Sequence, residues 1–250
     1  MASSARRGPI AVPLPRPLRR AAFVRRINRF AASLRLEDSR ALIYAHLPNS
    51  GRMTELLVPG AIALVHLTRR GARRTHGTMV LIRHRGQWVG LDATLPNRLL
   101  AASLRCRPLP PLPEPAAWRQ EVRLRGVRID FVMQAGAITW LVEAKSCNRV
   151  ESGEALFPDA PTARGARHLL ALAQAAGQGM RAAVVWFVQR PDARALRVDA
   201  AADPALARAA ARARRAGVVL VAYTCRVSPR AISVWRRIPV RVATAARPGA

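Results

Sequence analysis

The sequence predicts an α/β protein of two domains, a small β-barrel followed by a layered α/β domain. The chain has 250 residues, which is enough for one large or two modest domains with real cores. Residues 42–91 contain short apolar segments separated by prolines and glycines, a pattern typical of a small barrel. From Asn97 onward the pattern predicts helix, strand, strand, helix, strand, helix, strand, which indicates an α/β layer.

The domain boundaries follow from composition. Residues 1–30 hold eight arginines, four prolines and no acid, and we expect them to form a basic arm. We expect the barrel at 31–92, the α/β domain at 93–240 and a C-terminal tail at 241–250. The arm lacks the features of a secretory signal, and no apolar run approaches the roughly 20 residues that span a bilayer. Three widely spaced cysteines fit a reducing compartment, so we expect a cytoplasmic protein without a membrane partner.

The barrel segment contains two features that suit nucleic-acid binding. The loop from Asn49 to Met53 places a glycine beside Arg52, so Asn49 and Arg52 are candidate contacts to a phosphate backbone, although a plain turn fits equally well. Trp88 could stack on a base, but a single tryptophan in an apolar strand more often belongs to a core.

Three helices are predicted from their capping residues. Asn97 is expected to cap a helix that ends at Arg105, before a stiff connector with five prolines at 108–115. Thr162 is expected to cap a helix over about 163–176. Asp203, followed by a proline, opens a third helix, which Gly217 closes. Buried strands are predicted at 182–188 and 218–223.

A predicted hairpin carries the candidate catalytic residues. The apolar runs Val127 to Met133 and Ile138 to Val142 flank a glycine-containing turn, which indicates two paired strands. Pairing brings Asp130 close to Glu143, so the two carboxylates could share one Mg²⁺ or Mn²⁺ ion. As a spacing pattern alone the arrangement is weak, because surface hairpins also carry acids by chance.

Lys145 is the one lysine among 42 basic side chains. Its compact ammonium can approach a phosphoryl oxygen or a water more closely than a guanidinium can. In a strand, Glu143 and Lys145 share one face, so Lys145 would flank the metal and either orient a water or stabilise charge on a phosphate. Asp130, Glu143 and Lys145 therefore predict a metal-dependent phosphodiesterase site. A chance lysine in an arginine-biased sequence is the alternative.

The charge balance favours a polyanionic partner. A net charge of +28 creates a positive field that attracts DNA, with RNA as an open alternative. On the helix after Thr162, Arg164, Arg167 and His168 fall near one another and are candidate phosphate contacts, as is Arg128 beside the hairpin acid. His168 fits a structural role equally well. A charged surface that is merely solvated is the alternative to all of these.

The chain resembles the bacterial and archaeal sugar fermentation stimulation protein A family. The resemblance covers about residues 20 to 240, and its most specific block is Phe157-Pro-Asp-Ala-Pro-Thr-Ala-Arg-Gly-Ala-Arg-His-Leu169. The other matching segments are His46 to Met53, Val58 to Gly60, Leu95 to Leu99, Arg128 to Phe131 and Val142 to Ser146. The chain departs from the usual family residues at Leu47, Ala144, Ala163 and Arg167, and Ala163 removes a carboxylate from the start of its helix.

The resemblance implies an OB-like β-barrel followed by a domain similar to PD-(D/E)xK nucleases, in a DNA-binding protein linked to sugar catabolism genes. Its nuclease-like acids fall on Asp130 and Glu143 and its lysine on Lys145, with Glu121 as a fourth candidate. We therefore expect a DNA-binding, Mg²⁺-dependent nuclease. The alternative is a non-catalytic DNA-binding regulator that retains only the fold. The oligomeric state stays open, a dimer included.

Overall fold

The structure is a computed structural model that describes residues 8–68, 75–124 and 126–242. Residues 1–7 of the predicted arm and 243–250 of the predicted tail lie outside the described residues. The described helices are α1 (Leu95–Cys106), α2 (Ala163–Ala176) and α3 (Pro204–Arg215). The described strands are β1 (Ala11–Pro13), β2 (Arg19–Asn28), β3 (Ala31–Leu36), β4 (Leu42–His46), β5 (Ile62–Leu67), β6 (Gly77–His84), β7 (Gln87–Gly90), β8 (Ala117–Leu124), β9 (Val127–Ala135), β10 (Ile138–Cys147), β11 (Val150–Glu151), β12 (Glu154–Phe157), β13 (Arg181–Val188), β14 (Ala195–Val198), β15 (Val219–Val227), β16 (Ala231–Ile238) and β17 (Val240–Arg241).

The N-terminal part is a closed five-stranded barrel, as predicted. The strands run in the order β4-β3-β2-β5-β6, with β7 added at the end, and β4 closes the barrel by pairing with β6 at Ala45 and Gly77. Alternate side chains of each strand point inward, so residues such as Phe23, Leu34 and Ile82 form one buried core.

The prediction of a basic arm is wrong for residues 11–13 and 19–28, which form β1 and β2. The strand β1 pairs with β16 of the α/β domain, and β2 is a central strand of the barrel. The physical reason is alternation within β2, where Ala21 and Phe23 are buried between exposed arginines. The arginine content of the segment obscured this amphipathic pattern.

The C-terminal part is built on a seven-stranded sheet in the order β1-β16-β15-β13-β10-β9-β8. Its central strands β10, β13 and β15 are parallel, and β9 pairs with β10 as the predicted antiparallel hairpin. On β13, Val184 and Trp186 face a core with α2 and α3, whereas Val185 and Phe187 face a core with α1. The sheet therefore lies between helical layers. A second sheet of short strands, β11-β12-β14-β17, was not predicted.

The helix starts agree with two of the three predicted caps. The Thr162 hydroxyl accepts a hydrogen bond from Gly165 N at 3.0 Å, and the Asp203 carboxylate accepts one from Leu206 N at 2.9 Å. The cap at Asn97 is wrong, because α1 begins at Leu95 after Thr94, and the side chain of Asn97 hydrogen bonds to Asp130 instead. None of the described helices has the length and apolar character needed to cross a membrane.

Hydrogen bonds join the barrel to the α/β domain, and each of the two parts contributes donors. Gly90 N donates to Gln189 O at 3.0 Å, and the Asn148 side-chain amide donates to Gly90 O. On the barrel loop, Met53 N donates to the Asp159 carboxylate at 2.7 Å. Trp88 packs against the core between the two parts, in agreement with the structural interpretation of this residue.

We expect Gly90→Ala to destabilise the protein by roughly 1–3 kcal/mol, because an added methyl group has no room at this junction. Its Cβ would lie 2.8 Å from Ile232 Cδ1 and against Gln189, whose amide is fixed by hydrogen bonds to Asp92 O and Ser146 Oγ. Urea denaturation measures the change. Gly177→Ala is the control, since its φ of −66° and a nearest contact of 3.6 Å accommodate alanine. Equal stability of both variants would contradict this account of the junction.

We expect Glu55→Gln to stabilise the protein at neutral pH and not in acid. Burial raises the pKa of the Glu55 carboxyl above its ordinary value of 4.5, and Arg190, 3.9 Å away, offsets only part of this effect. A carboxyl group whose pKa is higher in the folded than in the unfolded state destabilises the fold when it is ionised. The stability that its neutral form allows is fully present below the unfolded pKa and is lost as the pH rises through the folded pKa. The gain in melting temperature should therefore be present at pH 7 and vanish below about pH 4.

The exposed Glu114 supplies the control for this measurement, because Glu114→Gln removes a carboxylate with little burial. A melting-temperature difference for Glu55→Gln that is the same at both pH values would rule out ionisation of Glu55 as its cause.

Candidate functional site

A cleft of about 990 Å³ lies between the barrel and the α/β domain. Its walls come from the barrel loop at Asn49 to Gly51, the first turn of α1, the strand β8 and the start of α2. Asp130, Glu143 and Lys145 all line this cleft. The structure therefore brings the three predicted catalytic residues together in one solvent-accessible space.

Asp130 is held in place by the neighbouring strand. It lies on β9 with 9% of its surface exposed, and its Oδ2 accepts a hydrogen bond from Ala144 N of β10 at 3.0 Å. Burial raises the pKa of the Asp130 carboxyl, and the negative charge of Glu143 raises it further. The hydrogen bonds from Ala144 and Asn97 oppose this shift.

Glu143 has two donors on one oxygen and none on the other. Its Oε1 accepts hydrogen bonds from Lys145 Nζ at 2.6 Å and from His168 Nδ1 at 2.5 Å. Burial works to raise the pKa of this carboxyl, but the bond from His168 and the charge of Lys145 outweigh it and hold the pKa below its usual range. The second oxygen, Oε2, is buried and has no hydrogen-bond partner within the described residues.

His168 acts on Glu143 and does not face the cleft. Its Nδ1 lies against a carboxylate and its Nε2 accepts from Arg164 Nε at 3.4 Å; since an arginine can only donate, the bonding pattern assigns the proton to Nδ1. The side chain is 4% exposed. The prediction that His168 contacts a phosphate is therefore corrected, because both ring nitrogens have protein partners and the ring lies behind Glu143.

The other predicted residues fall into two groups. Asn49, Arg128 and Arg164 line the cleft, although Asn49 is buried and its amide donates to Asn148 Oδ1 at 3.1 Å. Arg52 and Arg167 are exposed and lie outside the residues that line the cleft.

Glu121 lies on β8 at the cleft wall. Its carboxylate is exposed and lies 3.6 Å from Arg128, with which it forms an ion pair. Its backbone has a φ of 54°, which is uncommon for a residue other than glycine.

Asn97 and Asp159 also line the cleft, and neither was named among the candidate site residues from the sequence. Asn97 hydrogen bonds to Asp130 from α1, and Asp159 accepts from the barrel loop at Met53 N. Burial raises the pKa of the Asp159 carboxyl, while the bond from Met53 opposes the shift. The block Phe157 to Leu169 was the available signal for Asp159, but nothing in the local pattern identified its partner 106 positions away.

The donor set at the cleft fits a hard divalent cation. Within the described part of the chain no group of three or more histidine, cysteine or acidic side chains converges on one point. Asp130 and Glu143 are the two buried carboxylates that line the cleft. Two carboxylates suffice for Mg²⁺, which retains several waters and often binds substrate phosphates. The unpartnered Oε2 of Glu143 is the oxygen that would gain most from a cation, because a buried acceptor without a partner is costly.

Comparison with known proteins covers nearly the whole chain. Residues 24–91 match the SfsA N-terminal OB domain, and residues 94–231 match the sugar fermentation stimulation protein RE domain. A sugar fermentation stimulation protein homolog of Chloroflexus aurantiacus is 40% identical over 242 residues, covering 96% of this chain and 93% of the relative. A homolog of Moorella thermoacetica is 40% identical over 233 residues, covering 92% of this chain and 100% of the relative.

A solved structure shares the same architecture. Pyrococcus furiosus SfsA in complex with Ca²⁺ superimposes with a TM-score of 0.82 at 25% sequence identity, covering 92% of this chain and 98% of that one. The fold, the two domain matches and the homologs agree across the same residues. The chain belongs to the sugar fermentation stimulation protein family.

Proposed function

We propose that this protein binds DNA and hydrolyses phosphodiester bonds with the help of a divalent cation, at Asp130, Glu143 and Lys145. The observation that carries the proposal is the buried, unpartnered Oε2 of Glu143 near Asp130, in a cleft that Lys145 also lines. A carboxylate kept ionised in this position is suited to a cation and poorly suited to an apolar ligand.

The cleft rim supplies the contacts that a nucleic-acid backbone needs. Arg98, Arg128 and Arg164 are exposed at the cleft, and the whole chain carries a net charge of +28. Guanidinium groups recognise phosphates bidentately, so these three arginines would hold the strand at the cleft. RNA offers the same phosphodiester chemistry and is the alternative substrate.

Asp130 and Glu143 would hold Mg²⁺ or Mn²⁺. The related protein from Pyrococcus furiosus was solved in complex with Ca²⁺, a cation that prefers oxygen ligands as Mg²⁺ does. When bound, the cation would supply Lewis-acid polarisation of the phosphoryl oxygens and a nucleophile at neutral pH.

The protein's own residues then have separable roles. The bonds from Lys145 and His168 fix the rotamer of Glu143 and keep it ionised. The Lys145 side chain is 18% exposed, so its ammonium can also reach a phosphate in the cleft and stabilise the negative charge that develops on it. His168 touches neither phosphate nor water in this scheme and is a positioning residue.

Cleavage of labelled single- and double-stranded DNA with Mg²⁺ or Mn²⁺ tests the proposal. We expect Lys145→Ala and Glu143→Ala each to lower the rate by roughly 10²–10³-fold, because the first removes a positive charge at the reacting phosphate and the second removes a ligand of the cation. Lys145→Arg should also be impaired, since a planar guanidinium does not fit the space of an ammonium. EDTA is the blank, and Arg208→Ala, exposed on α3 away from the cleft lining, is the control.

Wild-type protein that binds DNA and leaves it intact with every metal would contradict the proposed reaction. That result would favour a non-catalytic DNA-binding regulator.

Calorimetric titration with Mn²⁺ tests the metal site without reference to activity. We expect Asp130→Asn and Glu143→Gln each to abolish binding, because each removes one of two charged ligands while keeping the shape of the side chain. Glu121→Gln should bind as the wild type does, since Glu121 is exposed and paired with Arg128. Undiminished binding to Glu143→Gln would place the cation elsewhere.

A further inference from the structure

An exposed tryptophan of the α/β domain is in contact with two arginines. Trp235, on β16, is 40% exposed. The guanidinium of Arg226, from β15, lies 4.8 Å from the centre of its ring, and that of Arg236 lies 4.5 Å from it. Arg226, Trp235 and Arg236 are here named the arginine–tryptophan cluster. Both distances fall within the range of a cation–π interaction, so one ring holds two positive charges close to each other.

An irregular pairing of β15 with β16 brings the ring and its arginine neighbour together. The register of the two strands shifts between Tyr223 and Cys225. The residue between them, Thr224, therefore lies opposite both Trp235 and Arg236, and its hydroxyl donates to Arg236 O at 3.4 Å. In a regular strand, adjacent side chains point to opposite faces of the sheet, and a bulge interrupts this alternation. Arg236 can for this reason contact the ring that precedes it in the sequence.

The cluster is accessible to a ligand. The pairing of β16 with β1 ends at Ser233, and within the described residues no other strand pairs with that edge of β16. Arg226 and Arg236 are both exposed. One N–H group of Arg236 donates to Ala193 O at 3.2 Å, which leaves four of its five donors for other partners.

Neither arginine of the cluster has an acidic partner. Within the described part of the chain, Arg226 and Arg236 form no ion pair with a carboxylate. Asp192 is close in sequence to the Arg236 contact at Ala193, but both of its oxygens accept hydrogen bonds from Arg190. Two like charges held at one ring repel each other, and an anion that contacts both would relieve the repulsion. The cluster therefore suits a ligand with closely spaced negative charges.

The cluster is separate from the cleft. None of its three residues lines the cleft. In the seven-stranded sheet β16 is three strands away from β10, which carries Glu143. Neighbouring strands are about 4.8 Å apart, so at least roughly 14 Å separate the cluster from Glu143. A single nucleotide would not span this distance, whereas a polymer with phosphates along its length could contact both places.

We propose that the arginine–tryptophan cluster is a second contact to the phosphate backbone of double-stranded nucleic acid, outside the cleft. A DNA duplex carries one negative charge per about 1.7 Å of its axis, a spacing that supplies phosphates to two adjacent guanidiniums. Arg226 and Arg236 would donate to phosphate oxygens. Trp235 is a positioning residue that orients both guanidiniums through its ring. The inference deepens the proposed function and rests on it in one respect, that the protein's ligand is nucleic acid.

Fluorescence anisotropy in EDTA, over a series of salt concentrations, tests this inference without cleavage. The probe is a labelled DNA duplex of about 20 base pairs, and we expect Arg226→Gln/Arg236→Gln to bind it about 10-fold more weakly at low salt. The slope of log affinity against log salt concentration should become shallower by about 2, since each lost phosphate contact contributes about 0.9. Arg208→Gln/Arg212→Gln is the matched control, because it removes the same charge from exposed positions of α3. Its slope should equal that of the wild type.

Variants of the ring separate positioning from charge. Trp235→Ala keeps both arginines, and we expect it to bind the duplex about 5-fold more weakly, because guanidiniums without the ring must be ordered when the ligand binds. Trp235→Phe keeps an aromatic face for the guanidiniums and should recover most of the affinity. Wild-type affinity of Trp235→Ala would contradict the positioning role.

Equal losses of affinity and equal slopes for the two double arginine variants would overturn the inference, because net charge alone would then explain the binding. So would wild-type binding to vesicles of phosphatidylserine and phosphatidylcholine that requires Arg226 and Arg236, if duplex affinity does not require them, since the cluster would then be a lipid contact. The two proposals fail separately. Absent cleavage with cluster-dependent binding would contradict the nuclease alone, and cleavage with cluster-independent binding would contradict the second contact alone.

Discussion

The candidate site depends on one buried carboxylate, that of Glu143, and on the two hydrogen bonds that keep it charged. Glu143 lies on β10, in the interior of the sheet, where an unpaired charge would be strongly destabilising. Lys145 approaches from the same strand and His168 from α2, and both donate to the same oxygen. The position of α2 against the sheet is therefore tied to the charge state of Glu143, and with it the location of Arg164 at the cleft.

The two acids of the site lie in different electrostatic environments. The pKa of Asp130 is raised, by burial first and by the charge of Glu143 second, whereas the pKa of Glu143 is lowered despite its burial. The difference arises from their donors, since Asp130 accepts from neutral amides, whereas Glu143 accepts from His168 and from the Lys145 ammonium. A divalent cation would favour the ionised form of both acids, so metal binding and the ionisation of Asp130 are linked.

The sequence predicted that Asp130, Glu143 and Lys145 lie together, and the structure agrees, because the three residues are close along the chain. Asp130, Glu143 and Lys145 lie on adjacent or identical strands, so period-2 alternation and one glycine turn were enough to bring them together. His168 is 25 positions from Glu143, and its local pattern could not distinguish a phosphate contact from a buried hydrogen bond. Asn97 had the residue type of a helix cap, but tertiary contact with Asp130 decided its role.

In β2, arginines obscured the two buried positions that define the strand. The short strands β11, β12, β14 and β17 were not predicted, because they are stabilised by pairing with one another and none has a recognisable sequence pattern of its own.

The junction between the two domains has a consequence for how ligands are selected. Asp159 binds the barrel loop at Met53, and Gly90 is held between Asn148 and Gln189, so both walls of the cleft are attached to each other by hydrogen bonds on either side. These hydrogen bonds resist a change in the spacing of the walls. A ligand would therefore be selected mainly by how well its thickness fits the cleft as folded, and less by a closing motion of the walls.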